Sequence, residues 1–481
     1  MFDDLLDGDA IALAAHIHGG DVSATEIAKA ALDRMAEREP LIAAFCTPTP
    51  ELALQQAATV DRSRARGEAL GPLAGVPMGV KDLICTAGVK TTSGSAAYRD
   101  FIPQEDDISV ERMLAAGAIM LGKTTAPEFG YSGVGHNPLF PAPRNPWHRE
   151  MTTGGSSAGS GAALAARLCP LALGSDGGGS VRIPAAHCGV FGFKASMGRV
   201  PLWPGCRDER YPGVSSWESL EHIGPMTRSV RDAALMMSVM AGPDMRDRHS
   251  IPCSDVEWLG ALRQPVRGLR VAFSADFGFV ALDPQVRALV SRAAQRFADD
   301  LGCTVELVDP PFGDQVESFR AIVALETDLS GMRAQLPEFG GQMAAHLVAM
   351  LQRPWQAAEF TDAMTARKRL VNTLWRFMQG YDLLITPTLA APPFPLGMQG
   401  PEEINGRRVS SDHWLSFCFP FNFSGQPAAS VPCGFTAEGL PVGLQIVGRH
   451  LDDARVLAAS AAFERLQPWK HHQPARFAPE R

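Results

Sequence analysis

No two cysteines in this chain form a Cys-x-x-Cys pair. Its nine (46, 85, 169, 188, 206, 253, 303, 418 and 433) are scattered singly, and the count is odd. A disulfide framework and a zinc knuckle are therefore excluded as organising devices. No run of about 18 apolar residues exists that would span a bilayer. Met1-Phe2-Asp3-Asp4 lacks the basic start and apolar stretch of a signal peptide. The expectation is a soluble cytoplasmic protein with no membrane partner. Clustered Lys and Arg are also missing, and the net charge is −8 with a pI near 5.9. Nucleic acid is thus not expected as a partner, because a phosphate backbone is gripped by grouped cations. The arginines between Asp61 and Gly67 read instead as a solvated helix face. There is no Gly/Ser or Pro linker, internal repeat or low-complexity tract.

What remains is ordinary globular composition, 481 residues with 46% hydrophobic and 20% charged, enough for a large core. Ser23-Ala24-Thr25-Glu26 fits a capping box, with Ile27, Ala31 and Met35 following at helical spacing. From Pro72 to about Val200, short apolar runs alternate with glycine-rich turns and small-residue helices. Helices are expected over Val110–Ala116, Ala162–Leu168 and Val181–Cys188, and strands over Ala118–Leu121 and Leu171–Leu173. Strand-like runs recur at Gly268–Phe273, Asp382–Ile385, Ala428–Val431 and Gly443–Val447. Such alternation indicates an α/β protein with a largely buried sheet. Residues 310–380 look mainly helical. Phe319, Met332, Leu347, Trp355, Trp375 and Phe377 there line a pocket or fill a core, and core is the default. The tail after Pro468 reads as polar and peripheral.

Three segments are chemically conspicuous: Gly79-Val80-Lys81-Asp82, the glycine-serine block Gly154–Gly161, and Gly174-Ser175-Asp176-Gly177-Gly178-Gly179-Ser180. In the last, a strand runs through a triglycine turn into a serine and a helix start. Glycines let backbone N–H groups approach a ligand closely, and successive N–H groups form an anion site. A serine placed there has its oxygen beside donors for an oxyanion, one of which contributes about 3 kcal/mol to acyl transfer. This segment is not a phosphate loop, because no lysine sits at the required place in it, and a Rossmann turn is excluded by the following Pro184. Gly155-Ser156-Ser157-Ala158-Gly159 matches the hydrolase elbow, with Ser157 as nucleophile. The elbow needs an apolar strand before it, and residues 143–151 read as loop. For a base, His187 sits on the helix expected after Ser180 and should point away, and His471-His472 lie in the tail. Lys81 follows an apolar run. Burial lowers a lysine pKa, and a neutral lysine is a general base.

The glycine-serine block, followed by Gly-Gly-Ser-Val-Arg-Ile-Pro-Ala (178–185), resembles the amidase signature family. The likeness runs from about Ile27 to Ala462, and Gly439–Gly448 resembles the family's C-terminal motif. The resemblance implies one amidase domain over 1–481, built on a central twisted mixed sheet with helices on both faces. Within it, 1–65 is a helical segment, 66–200 the catalytic core, 201–467 the rest of the sheet and pocket helices, and 468–481 a tail. It also implies Ser180 as the acylated nucleophile, Ser156 after a cis peptide as proton relay, and Lys81 as base. Gly177, Gly178, Gly179 and Ser180 would form the oxyanion hole. Asp176 and Arg182 would brace that loop, and Ser157 would hydrogen-bond Lys81. No cofactor or metal is implied.

Many members have Thr at the position of Gly177 and Gly at that of Ala158, so the missing side chain at 177 is expected to widen the acyl pocket. Residues 202–220 look longer than the usual family loop. Tyr131, Trp203 and Tyr211 are expected to shape the pocket with the 310–380 region, for an aryl or otherwise apolar amide. The function implied is a stand-alone amidase acting on a small molecule, compatible with a homodimer. The alternatives are the glutaminase subunit of a tRNA-dependent amidotransferase, a carbamate or ester hydrolase, and a non-catalytic binding protein.

Overall fold

The apolar runs between glycine-rich turns become strands of one mixed sheet in the computed structural model, which describes residues 2–205 and 217–477. Among the described residues eleven strands join it. They are β1 (Phe45–Pro48), β2 (Pro77–Lys81), β3 (Ile119–Thr124), β4 (Leu171–Ser175), β5 (Phe191–Lys194), β6 (Ile223–Thr227), β7 (Arg270–Phe273), β8 (Thr304–Leu307), β9 (Leu383–Pro387), β10 (Ala428–Phe435) and β11 (Pro441–Gly448). Their order is β1-β3-β2-β4-β6-β5-β10-β11-β9-β7-β8. The β3-β2-β4 and β9-β7-β8 neighbours are parallel, while the strands between β4 and β9 pair antiparallel. The central strands are buried along their whole length, as expected of a sheet covered on both faces. Every strand and helix anticipated between 108 and 188 is present, with ends shifted by a few residues.

The N-terminal capping box is present as expected. Ser23 Oγ accepts the Glu26 N–H at 3.1 Å, and Glu26 accepts the Ser23 N–H at 2.8 Å. The helix it starts, Ala24–Ile42, buries Ile27, Ala28, Ala31 and Met35. Ser23→Ala is expected to remove about 1 kcal/mol of stability, read as a lower urea midpoint at unchanged slope.

Three local expectations need correction. Residues before the glycine-serine block are not plain loop: Arg144–Asn145 pairs with His148–Thr152 in a small hairpin outside the main sheet. The tail is not peripheral up to 477, because buried Trp469 donates its indole N–H to the Arg228 carbonyl at 2.9 Å. The region around 310–380 is helical over Val316–Leu325, Leu329–Phe339, Ala345–Gln352 and Ala357–Phe377. Against the expectation of core for its large side chains, Phe319, Leu347 and Trp355 line a cavity. Met332 is core, Trp375 is 61% exposed, and Phe377 stacks beside Tyr381.

Candidate active site

Strand register brings the lysine and a serine together. β2 runs parallel to β4 with Val80 opposite Leu173, so the C-terminal ends bearing Lys81 and Ser175 lie side by side. Lys81 is wholly buried. Its Nζ donates to Ser156 Oγ at 2.7 Å, Ser175 Oγ at 2.8 Å and the Ser175 carbonyl at 3.2 Å. Burial lowers the Lys81 pKa to about 8, against the opposing pull of the Glu221 and Asp176 carboxylates. Ser156 follows a cis peptide bond from Gly155, just before the helix Ala158–Ala165. Ser157 does not bond Lys81, contrary to expectation. Its hydroxyl donates to the Ser175 carbonyl and accepts the Ser175 N–H, both at 3.2 Å. Its link to the lysine runs only through Ser175, which bonds both. Ser175 falls inside the conspicuous segment 174–180 of the sequence, but nothing there gives it a role.

The triglycine loop is flanked by a buried ion pair. Asp176 and Arg182, both fully buried, form two hydrogen bonds at 2.9 Å. Burial alone would raise the Asp176 carboxyl, but the Arg182 guanidinium holds it well below the usual carboxylate range. Two further residues join this network: Asn422, which the sequence does not mark, and Gln445, which stands in the C-terminal motif 439–448. Asn422 donates to the Asp176 carbonyl at 2.7 Å and accepts from Arg182 at 2.7 Å. Gln445 of β11 accepts from Arg182 at 2.7 Å. The loop also differs from expectation at one amide: the Gly179 N–H donates to Asp176 Oδ1 at 2.7 Å. That amide is engaged and does not point to a ligand. The N–H groups of Gly177, Gly178 and Ser180 have no protein acceptor among the described residues. Gly179 has φ +126°, a conformation that glycine adopts without strain. Ser157 N–H donates to the Ser180 carbonyl at 3.2 Å, tying the two serine segments together.

Ser180 opens onto a cavity of about 460 Å³. Tyr131, Trp217, Phe319, Leu347, Leu415 and Phe419 supply apolar wall, and Arg320, Arg353, Gln399, Ser411 and Asp412 supply polar groups. Tyr131 lies where expected. Trp203 does not: its ring packs under the Arg246 guanidinium, 5.2 Å away, and its carbonyl accepts the Ile108 N–H, so it stands outside the cavity. Tyr211 lies outside the described residues. Gly177 does not widen the pocket either, because Trp217 and Glu221 occupy the space its side chain would take. His187 points away from Ser180, stacked on Trp414 at 5.3 Å, and burial pushes its pKa down to about 4.

The ends of the parallel strands β2 and β4 thus gather a buried lysine, serines and a glycine loop on a mixed α/β sheet. The amidase family profile matches residues 26–457. An acylamidase of Rhodococcus erythropolis is 38% identical over 472 residues, 96% of each chain. A glutamyl-tRNA(Gln) amidotransferase subunit of Thermosynechococcus vestitus is 36% identical over 480 residues, 94% of this chain and 96% of its own. The crystal structure of a bacterial aryl acylamidase of the amidase signature family superposes with a TM-score of 0.89 at 31% identity, over 96% of each chain. The chain belongs to the amidase signature family, and it is a hydrolase acting on carbon–nitrogen bonds. No helix among the described residues is long and apolar enough to cross a membrane.

Proposed function

We propose that this protein is a stand-alone amidase that cleaves an apolar or aryl carboxamide through an acyl-Ser180 intermediate. Neutral Lys81 takes a proton from Ser156 while Ser156 takes one from Ser180, and the Ser180 oxygen attacks the carbonyl carbon. The N–H groups of Gly177, Gly178 and Ser180 receive the oxyanion. On collapse the C–N bond breaks, and the proton on Lys81 returns through Ser156 to the leaving amine. Water then attacks the ester by the same relay and releases the acid. Carbamates and esters fit the same chemistry.

The observation behind this reading is the largely apolar, aromatic wall around Ser180. The chain's likeness to the acylamidase and aryl acylamidase agrees with it. The second reading, a glutaminase component of an amidotransferase, draws on the similarity to the Thermosynechococcus protein. Glutamine would need partners for an ammonium and a carboxylate, whereas Arg320 and Asp412 in the cavity are already bonded to each other. Labelling with a fluorophosphonate followed by peptide mass spectrometry should modify Ser180, and Ser180→Ala should abolish both labelling and anilide hydrolysis. Label on Ser157, or glutamine hydrolysis seen only with a partner protein, would overturn the proposal.

A further inference from the structure

Gly177 has no side chain, yet the space beside it is full. A Cβ built there would lie 2.2 Å from Trp217 Cε3 and 2.7 Å from both Trp217 Cζ3 and Glu221 Oε2. The indole belongs to the cavity wall, next to Gly178 and Ser180. It is 6% exposed and packs edge-on against Tyr131, with ring centroids 4.9 Å apart at 80°. Tyr131 is anchored in turn through its hydroxyl to Thr327.

The backbone around Trp217 is also held. Its carbonyl accepts the N–H groups of Leu220 and Glu221, at 3.0 and 2.8 Å. Ser219 is gripped by Glu326 and Arg367. His222 exchanges backbone hydrogen bonds with Asp176, at the root of the glycine loop. The ring is therefore registered against the loop that bears Ser180, and cannot drift without moving it.

We propose that Trp217 is the specificity-determining residue of this site, replacing from a distant position the bulk absent at Gly177 and limiting the length of the acyl group. The proposal rests on Ser180 as nucleophile. The acyl side follows from the order of product release. The amine must leave while the acyl group is still attached, so the amine side has to face the solvent-exposed part of the wall. Ala349, Arg353, Gln399 and Ser411 are the exposed lining residues, whereas Trp217 is buried beside the loop that bears Ser180. Small acyl groups should fit beneath the indole and long chains should collide with it.

Rates of inactivation by alkyl phosphonofluoridates, with the alkyl group on phosphorus varied from methyl to octyl, read this wall without requiring amide turnover. Trp217→Ala should raise the octyl-to-methyl rate ratio by about tenfold or more, the scale of a few methylenes in an apolar pocket. Trp217→Phe, which keeps most of the bulk, should stay near the wild type. Gly177→Ala should slow the whole series by pushing the indole off the loop and into the space beside Ser180, and Gly177→Ala/Trp217→Ala should recover a large part of that loss. An unchanged ratio in a folded Trp217→Ala, or a double variant no faster than Gly177→Ala, would overturn the role of Trp217. A wild type inert to the entire series would overturn Ser180 itself, a different result from an unchanged ratio.

Discussion

Lys81→Met is expected to lower kcat for an anilide by roughly 10²–10⁴-fold, the range for loss of a positioned general base. The magnitude should be large because the lysine is the only basic side chain bonded to Ser156 among the described residues. The wild type supplies the matching pH profile. In the proposed mechanism the active form is neutral, and with a folded pKa of about 8, log kcat/KM should climb with a slope of one below about pH 8 and level off above it. A flat profile down to about pH 5 would remove lysine as base. Stability should change in a linked way. The folded pKa of about 8 lies below the ordinary 10.5, so between these values the unfolded chain binds more protons. The folded state therefore gains stability as pH rises through that window. Lys81→Met has no such proton to lose. It should be more stable than the wild type below about pH 8, with the advantage shrinking toward pH 10.5, as followed by Tm across pH.

What is legible in the sequence divides by how local the cause is. Ser180 can be singled out because a strand, three glycines and a serine are consecutive, and consecutive residues need no tertiary knowledge. Lys81 is visible as a lysine at the end of an apolar run, although its neutrality depends on complete burial. Ser175 is invisible as a partner of Lys81, since only the β2–β4 register brings them together. Asn422 and Gln445 bond a segment more than two hundred positions away; nothing marks Asn422, and the motif around Gln445 does not name its partner. Trp203 misleads for the same reason in reverse: an aromatic near the site in sequence packs against Arg246 instead. Trp217, a little further along, enters the cavity because the turn at 217–222 pairs with Asp176. The aromatics of the 310–380 helices show the limit of periodicity. A helix face that fills a core and one that lines a pocket carry the same pattern: Phe319 proves to be the latter, and Leu347 lies in a core cluster while also touching the cavity.

Arg182→Met should be the most destabilising single change in the site, by about 3–5 kcal/mol, because it strands a buried carboxylate without its cation. Asp176 is fully buried, and without the guanidinium its remaining donors are Asn422 and the amides of Gly179 and Val181. Desolvation would then dominate and drive its pKa upward, the reverse of its present state. The intact pair should be resistant to acid: a carboxyl held below its unfolded value adds stability that is present at neutral pH and lost only as pH falls below the ordinary carboxylate range. The variant should instead unfold at a milder acid pH. Asp176→Asn/Arg182→Met removes both charges while an amide oxygen can still accept from the Gly179 N–H, so it should lose much less than the single variant. Urea midpoints of the wild type, both singles and the double form the cycle that measures this coupling. Equal losses in Arg182→Met and the double variant would mean that the guanidinium acts through its bonds to Cys418, Asn422 and Gln445, and that the charge of Asp176 is incidental.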